Sequence, residues 1–399
     1  MNHCNSRQDL ISNYDIVICG GGVAGLWLLN VLVNAGFSVL LIEKSTTGGT
    51  QTMASQGMIH GGQRYMLGAN SSNHAESVEP LPERWDACLE GRGELDLRGV
   101  RVLSKTQLMW PTGGLLTNLA LNAATHTFKA KMRRIDAQEV PEALAGFSKR
   151  PIYELPEKVL DIASLVQELS TPHLDRIRSG NVEALERDGR LTVSGFSVAA
   201  QIVICTAGLG NEQFLHMLQA GEGCSQQRPI RQIMVKPMPF PLYGHGVTTS
   251  YKPRITVTSH PLDSGGYVWY LGGAIADEVL ELSEDDAIKY AHKEMLTLFE
   301  NIEWSDKKWA TWHGSRAEAY SENGRLPNGP VIQEYENVLV AWPTKLTLTP
   351  LLGDQILTRL ADKGVKPKNS KSNFQTSCLE FSSVGILPWE QANWISTIS

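Results

Sequence analysis

Residues 14–44 read YDIVICGGGVAGLWLLNVLVNAGFSVLLIEK. Residues 14–19 form a short run of mostly apolar, β-branched residues, the pattern of a strand buried on both faces of a parallel sheet. The glycines Gly20, Gly21 and Gly22 break that run. Residues 23–35 then have the length and composition of a helix, and Gly36 stops it. A second apolar strand over 37–42 ends at Glu43 and Lys44. Within the turn, Gly20-x-Gly22-x-x-Gly25 has a physical task for each glycine. Gly20 permits the tight turn, Gly22 lets a pyrophosphate approach the backbone, and Gly25 lets helix and strand pack closely. The helix N-terminus, at Val23 and Ala24, offers N–H groups and partial positive charge to phosphate. Glu43 can accept hydrogen bonds from ribose hydroxyls, and its charge disfavours a 2′-phosphate. The stretch therefore predicts an α/β fold with a Rossmann-type dinucleotide site. By itself it does not separate FAD from NAD.

Working outward, 399 residues imply more than one domain. A composition of 42% hydrophobic and 20% charged residues is that of a globular chain. The net charge of −6 argues against nucleic-acid binding by bulk charge and leaves room for a locally basic pocket. The six cysteines, Cys4, Cys19, Cys88, Cys205, Cys224 and Cys378, show neither zinc-ligand spacing nor a disulfide layout. The expectation is a metal-free protein of a reducing cytoplasm. No signal-peptide layout is read at the N-terminus. The longest apolar run, 23–33, falls short of the ~20 residues that span a bilayer. Peripheral membrane contact is left open.

Residues 45–73, rich in Gly, Ser, Thr and Gln, read as a long functional loop. Residues 75–147 give no clear periodicity. A strand end and an amphipathic helix are expected over 154–170, a hairpin around Asp188-Gly189, and an apolar strand over 199–206. The region 228–277 reads as β-rich, with the prolines of 237–243 marking an edge or loop. A helix is expected over 284–299, a strand over 338–342 and a helix over 351–360. Residues 363–373 read as a linker, and Trp389 and Trp394 as a segment that docks back on the surface.

The loop continues through Thr50, Thr52, Gln56, Gly57, Ile59, His60, Gly61, Gly62, Arg64 and Tyr65. Here the chain resembles the D-amino-acid-oxidase-like flavoproteins, and within them the FAD-dependent glycerol-3-phosphate dehydrogenases, whose loop reads roughly S-S-x-L-I-H-G-G-x-R-Y. The strand 203–208, ending in Ala207-Gly208, is similar to the family strand beneath the cofactor. Lys345-Leu346-Thr347, with Pro350 and Gly353, resembles the late flavin-binding segment. The resemblance implies non-covalent FAD. It implies an FAD-binding domain built from 12–75, 153–227 and 312–362, a mixed β-rich substrate domain from 76–152 and 228–311, and a tail over 363–399.

The resemblance further implies FAD contacts from Gly20, Gly22, Val23, Ala24, Gly25, Glu43, Lys44, Thr52, Gln56, Gly57, Ile59, His60, Ala207, Gly208, Lys345, Leu346 and Thr347. It places Arg64, Tyr65, Arg316 and Lys345 at the substrate. Arg316 lies in a W-H-G-S-R-A segment similar to the family's G-x-R-P, with Ala317 where proline is usual. A guanidinium fork suits bidentate binding of carboxylate or phosphate. Arg64, Arg316 and Lys345 together are expected to make a buried cation cluster for a small anionic substrate.

His60 has the ordinary pKa of a base for a hydroxyl proton, or else braces its loop. His245 and His260 are alternative bases. The strand 231–236 lacks the histidine that follows it in glycerol phosphate dehydrogenases, which argues against glycerol 3-phosphate itself. The expected activity is oxidation of a small anionic hydroxy compound by hydride transfer to flavin. An amine or amino-acid oxidase, or a non-catalytic flavoprotein, stays open as an alternative. No residue names the electron acceptor.

Overall fold

The computed structural model describes residues 12–61, 81–114, 117, 132–250, 252–321, 327, 329–368 and 379–396. Strand Ser12–Cys19 runs parallel to Val39–Glu43 on one side and to Phe196–Cys205 on the other. Helix Val23–Asn34 connects the first two. Among the described residues this sheet has eight strands. Its central path is Val331–Tyr335, Val338–Trp342, Phe196–Cys205, Ser12–Cys19, Val39–Glu43, Ile177–Ser179. The hairpin around Asp188-Gly189 is present as Val182–Leu185 and Arg190–Val193, hung on Phe196–Cys205.

Side-chain alternation assigns the two faces of this sheet. Ile16, Ile18, Val39 and Leu41 enter one core with Leu26 and Trp27 of the first helix and Leu352 and Ile356 of helix Thr349–Asp362. Val17, Cys19, Leu40 and Ile42 enter another with Val203, Phe214 and Val338. The strands are therefore apolar on both faces, which is why they read as continuous apolar runs.

Among the described residues a second, nine-stranded sheet runs Ile395–Ser396, Lys308–Ala319, Ser225–Met238, Tyr267–Gly272, Ile255–Pro261, Gly244–Val247, Gln107–Pro111, Tyr153–Leu155, Arg133–Arg134. It is mixed: Gly244–Val247 pairs parallel with Gln107–Pro111, and the other pairings are antiparallel. Helix Glu284–Leu298 covers it, capped by the Ser283 hydroxyl, which accepts the Asp286 N–H at 3.1 Å. Its core is aromatic, with Trp110, Trp269, Phe299, Trp304 and Trp309. Met234, Val268, Tyr270 and Ala310 of this sheet join the core of the first helix, so the two sheets share packing.

The structure departs from the sequence reading at one proline. Strand Ser225–Met238 continues through Pro237, where a loop or edge was expected. Its register shifts between Val235 and Met238, because Pro237 has no N–H for the ladder. The single strand Lys308–Ala319 runs through residue 312. Trp389 is buried, stacked on His260 with ring centroids 4.0 Å apart. No helix among the described residues is long and apolar enough to cross a membrane. Cys19, Cys88, Cys205 and Cys224 are free thiols; Cys4 and Cys378 lie outside the described residues.

Candidate active site

The glycine turn is held by close contacts. A Cβ on Gly25 would stand 1.9 Å from the Gly20 carbonyl oxygen, so only glycine lets the helix sit this close to the strand. Gly20 has φ +112° and faces the Ala207 backbone, where a Cβ would meet atoms at 2.6 Å. Helix Val23–Asn34 has no side-chain cap at Gly22. The Val23 N–H donates to the Thr52 hydroxyl at 3.0 Å. The rest of the first turn keeps the donors a phosphate needs. Glu43 Oε2 accepts the Gly21 N–H at 2.6 Å, and Oε1 accepts the Ser45 N–H at 2.8 Å.

A cavity of about 370 Å3 opens from this turn. Gly20, Gly22, Val23, Ala24 and Glu43 line one part of it. Thr52, Gln56, His60, Ala207, Gly208, Lys345 and Leu346 also line it, and Arg316 joins them from strand Lys308–Ala319. Segments far apart in sequence thus line one cavity. Five residues of the expected cofactor set stand elsewhere. Gly25 is behind the turn, and Lys44 is exposed. Gly57 accepts the Leu160 N–H at 2.8 Å through its main chain. Ile59 is in the core. Thr347 is buried, its hydroxyl accepting the His60 N–H at 3.2 Å and its carbonyl the Trp85 indole N–H at 3.1 Å. Arg64 and Tyr65 lie outside the described residues.

His60 is buried on the cavity wall. The next residue, Gly61, donates its N–H to buried Glu157 at 2.6 Å. This segment is therefore pinned at successive main-chain positions. His245 and His260 do not line the cavity. His245 bonds Gln107 Oε1 at 3.0 Å and the Thr256 hydroxyl at 3.2 Å. His260 is held neutral by burial, which pushes its pKa down to about 3 against the opposing pull of Asp161. Both histidines are structural members of the second sheet.

The expected buried cation cluster needs correction. Arg316 is exposed and Lys345 half-buried. What stands is that both line the cavity. Burial pushes the Tyr270 hydroxyl up despite the opposing Arg316 charge. That hydroxyl donates to the Ala54 carbonyl at 3.0 Å.

Sequence reasoning missed Gln51, Thr206, Ile230, Gln232, Trp312, Ser315 and Trp342, which also line the cavity. Gln51 Oε1 accepts the Ala317 N–H at 3.1 Å, tying the loop to the substrate-side strand. Trp312 and Ser315 are neighbours of Arg316 in a segment already singled out. Gln232 and Ile230 carried no signal, since only strand pairing shows which face of a strand meets the cavity.

The glycine cradle, the open helix N-terminus and the cavity that opens from them fit FAD. Residues 15–359 match the family model of FAD-dependent oxidoreductases of the D-amino-acid-oxidase type, and the chain belongs to this family. It is an FAD-dependent oxidoreductase. A relative from Pseudomonas aeruginosa named "probable FAD-dependent oxidoreductase" is 40% identical over 363 residues, covering 88% of this chain and 92% of the relative. The crystal structure of an FAD-dependent oxidoreductase from Pseudomonas aeruginosa aligns with a TM-score of 0.82 at 35% identity, over 96% of this chain and 99% of that one. The fold also matches L-α-glycerophosphate oxidase from Mycoplasma pneumoniae with FAD bound, with a TM-score of 0.67 at 15% identity over 91% and 98% of the chains. Glycine oxidase from Geobacillus kaustophilus matches with a TM-score of 0.63 at 17% identity over 90% and 96%.

Proposed function

We propose that the enzyme oxidises a small organic anion at a carbon bearing a hydroxyl or amino group, with Arg316 and Lys345 holding the anionic end. The observation that supports this is the meeting of two cations, from separate segments, on the wall of the cavity that begins at the glycine turn. The whole chain carries −6, so attraction of an anion falls to local positive charge. The Arg316 fork suits bidentate binding of an oxyanion, and Lys345 adds a point charge on the same cavity.

The other residues position. Gly20, Gly22 and the helix N-terminus take the pyrophosphate, and Glu43 takes the ribose. His60, tied to Thr347, holds the wall in place. Ile230 and Trp312 give the substrate side an apolar surface. Bound FAD supplies the two-electron acceptor.

The test is Arg316→Ala, assayed by anaerobic flavin reduction at low donor concentration. The expected loss in kcat/KM is about 2 kcal/mol, roughly thirtyfold, with normal FAD content. Arg316→Lys keeps the charge without the fork and is expected to fall between wild type and Arg316→Ala. Unchanged reduction by Arg316→Ala places the anchor elsewhere.

A further inference from the structure

Strand Val331–Tyr335 pairs antiparallel with Val338–Trp342, and Val331 stands opposite Trp342. The register leads next to Pro330 and Pro343, which have no N–H, so the ladder stops there. Beyond them Gly329 and Thr344 meet through a side chain instead. The Thr344 hydroxyl reaches the Gly329 carbonyl at 3.3 Å and the Pro343 carbonyl at 2.7 Å. The Pro343 carbonyl also accepts the Lys345 N–H at 2.8 Å. A bond from one residue back to the second before it closes a γ-turn, here centred on Thr344. With φ +62° at Thr344 the turn is of the rare, strained kind. The other positive-φ positions lining the cavity, Gly20, Gly48, Gly49 and Gly208, are glycines. Among the described residues Ser194, Gln219 and Glu336 also have positive φ, but they are not β-branched and do not line the cavity. A β-branched side chain is thus kept at 344 against its backbone preference. Strain of this kind persists only where the surroundings hold it, and it gathers at functional sites.

We infer that Thr344 is a positioning residue, whose strained turn sets Lys345 for the anion. The inference rests on the anion-anchoring reading above and deepens it. Lys345 is the next residue and lines the cavity. On its far side the chain is fixed. The Leu348 N–H donates to the Lys345 carbonyl at 3.1 Å, and Thr347 is tied to His60 and Trp85. On its near side the turn does the fixing, and the Thr344 hydroxyl holds the turn closed. A long side chain on a fixed stem loses less freedom when it meets its ligand. Valine has the shape of threonine and the same aversion to positive φ, without the hydroxyl. It keeps the strain and loses the bonds that offset it, so the turn opens and Lys345 is no longer aimed. Serine keeps the hydroxyl.

The experiment uses propionate, a small carboxylate with no hydroxyl or amino group to oxidise, and its uncharged amide. Their Kd values are read from the change they cause in the absorption spectrum of the FAD-loaded enzyme. Lys345→Met is expected to weaken propionate binding about tenfold. Thr344→Val is expected to weaken it about fivefold, and Thr344→Ser to stay within about twofold of wild type. Propionamide is expected to change by less than about twofold in all three variants, since it carries no charge for Lys345 to hold. The deciding measurement is the double variant. In the Lys345→Met background, Thr344→Val is expected to add less than about twofold, because Thr344 acts through the lysine. Wild-type affinity in Thr344→Val, a loss in Thr344→Ser as large as in Thr344→Val, an equal loss for propionamide, or the full loss repeated in the Lys345→Met background overturns the inference. Failure of the anchoring reading looks different, and takes the inference with it. Lys345→Met and Arg316→Ala then leave propionate affinity unchanged, or wild type binds propionate no better than its amide.

Discussion

Glu43 braces the glycine turn at a place where, on the proposed reading, it also meets the cofactor's ribose. Its carboxylate holds the Gly21 N–H and the Ser45 N–H, and it also lines the cavity. A carboxylate has lone pairs for further donors, so bracing the turn does not remove it from the ribose. Glu43→Ala is expected to weaken FAD binding by about 1–3 kcal/mol, measured by titrating apoprotein with FAD. Unchanged affinity contradicts the assignment. This role was legible because it depends on a local pattern, strand then glycine turn then strand end. Gln232 was not legible, because its place depends on pairing with Trp312 across the sheet and with Tyr267–Gly272 on the other side. The exposure of Arg316 was also out of reach, since sequence spacing carries no information about solvent access.

At the level of elements, the fit of the first helix on its strand depends on the absence of one methyl group. Gly25→Ala drives a Cβ into the Gly20 carbonyl and close to the Thr206 hydroxyl, at 1.9 and 2.9 Å. Either the helix lifts from the strand or the turn opens. Overpacking of this kind costs about 1–3 kcal/mol or more, and here it also distorts the phosphate cradle. The variant is expected to purify with substoichiometric FAD and a lower Tm. Wild-type flavin content would show that the contact is soft. The opening elements were readable nearly to the residue: helix 23–35 was expected and Val23–Asn34 is found. Residues 75–147 resisted reading for a physical reason. Strand Gln107–Pro111 takes its partner Gly244–Val247 from far along the chain, and the tie between His245 and Gln107 is equally non-local.

Across the whole molecule, the C-terminal segment joins the two sheets. The Thr47 N–H donates to Ser383 and the Ser179 N–H to Glu380, while Ile395–Ser396 adds a short strand to Lys308–Ala319. Trp389 lies between, against His260 and Tyr270. Trp389→Ala is expected to cost about 3 kcal/mol, read from denaturant unfolding. The stacked histidine also gives a pH dependence. An unfolded histidine takes up its proton near pH 6.5, whereas folded His260 resists protonation down to about pH 3. Protons therefore favour the unfolded chain in that window. The His260 contribution is intact above pH 6.5 and drains away as pH falls towards 3. His260→Phe is expected to flatten the decline in Tm between about pH 6.5 and 5, above the range where most carboxylates titrate. An identical slope in that variant rules His260 out as its source. The central claim is an FAD enzyme whose cavity is built for an anion, and one comparison tests it most directly. Flavin reduction is followed anaerobically with matched donors, each carboxylate against its own uncharged amide. The account predicts that the anion reduces the flavin about tenfold or more faster at low concentration, and that Arg316→Ala removes the difference. Equal rates, or a preference for the amide, would contradict it.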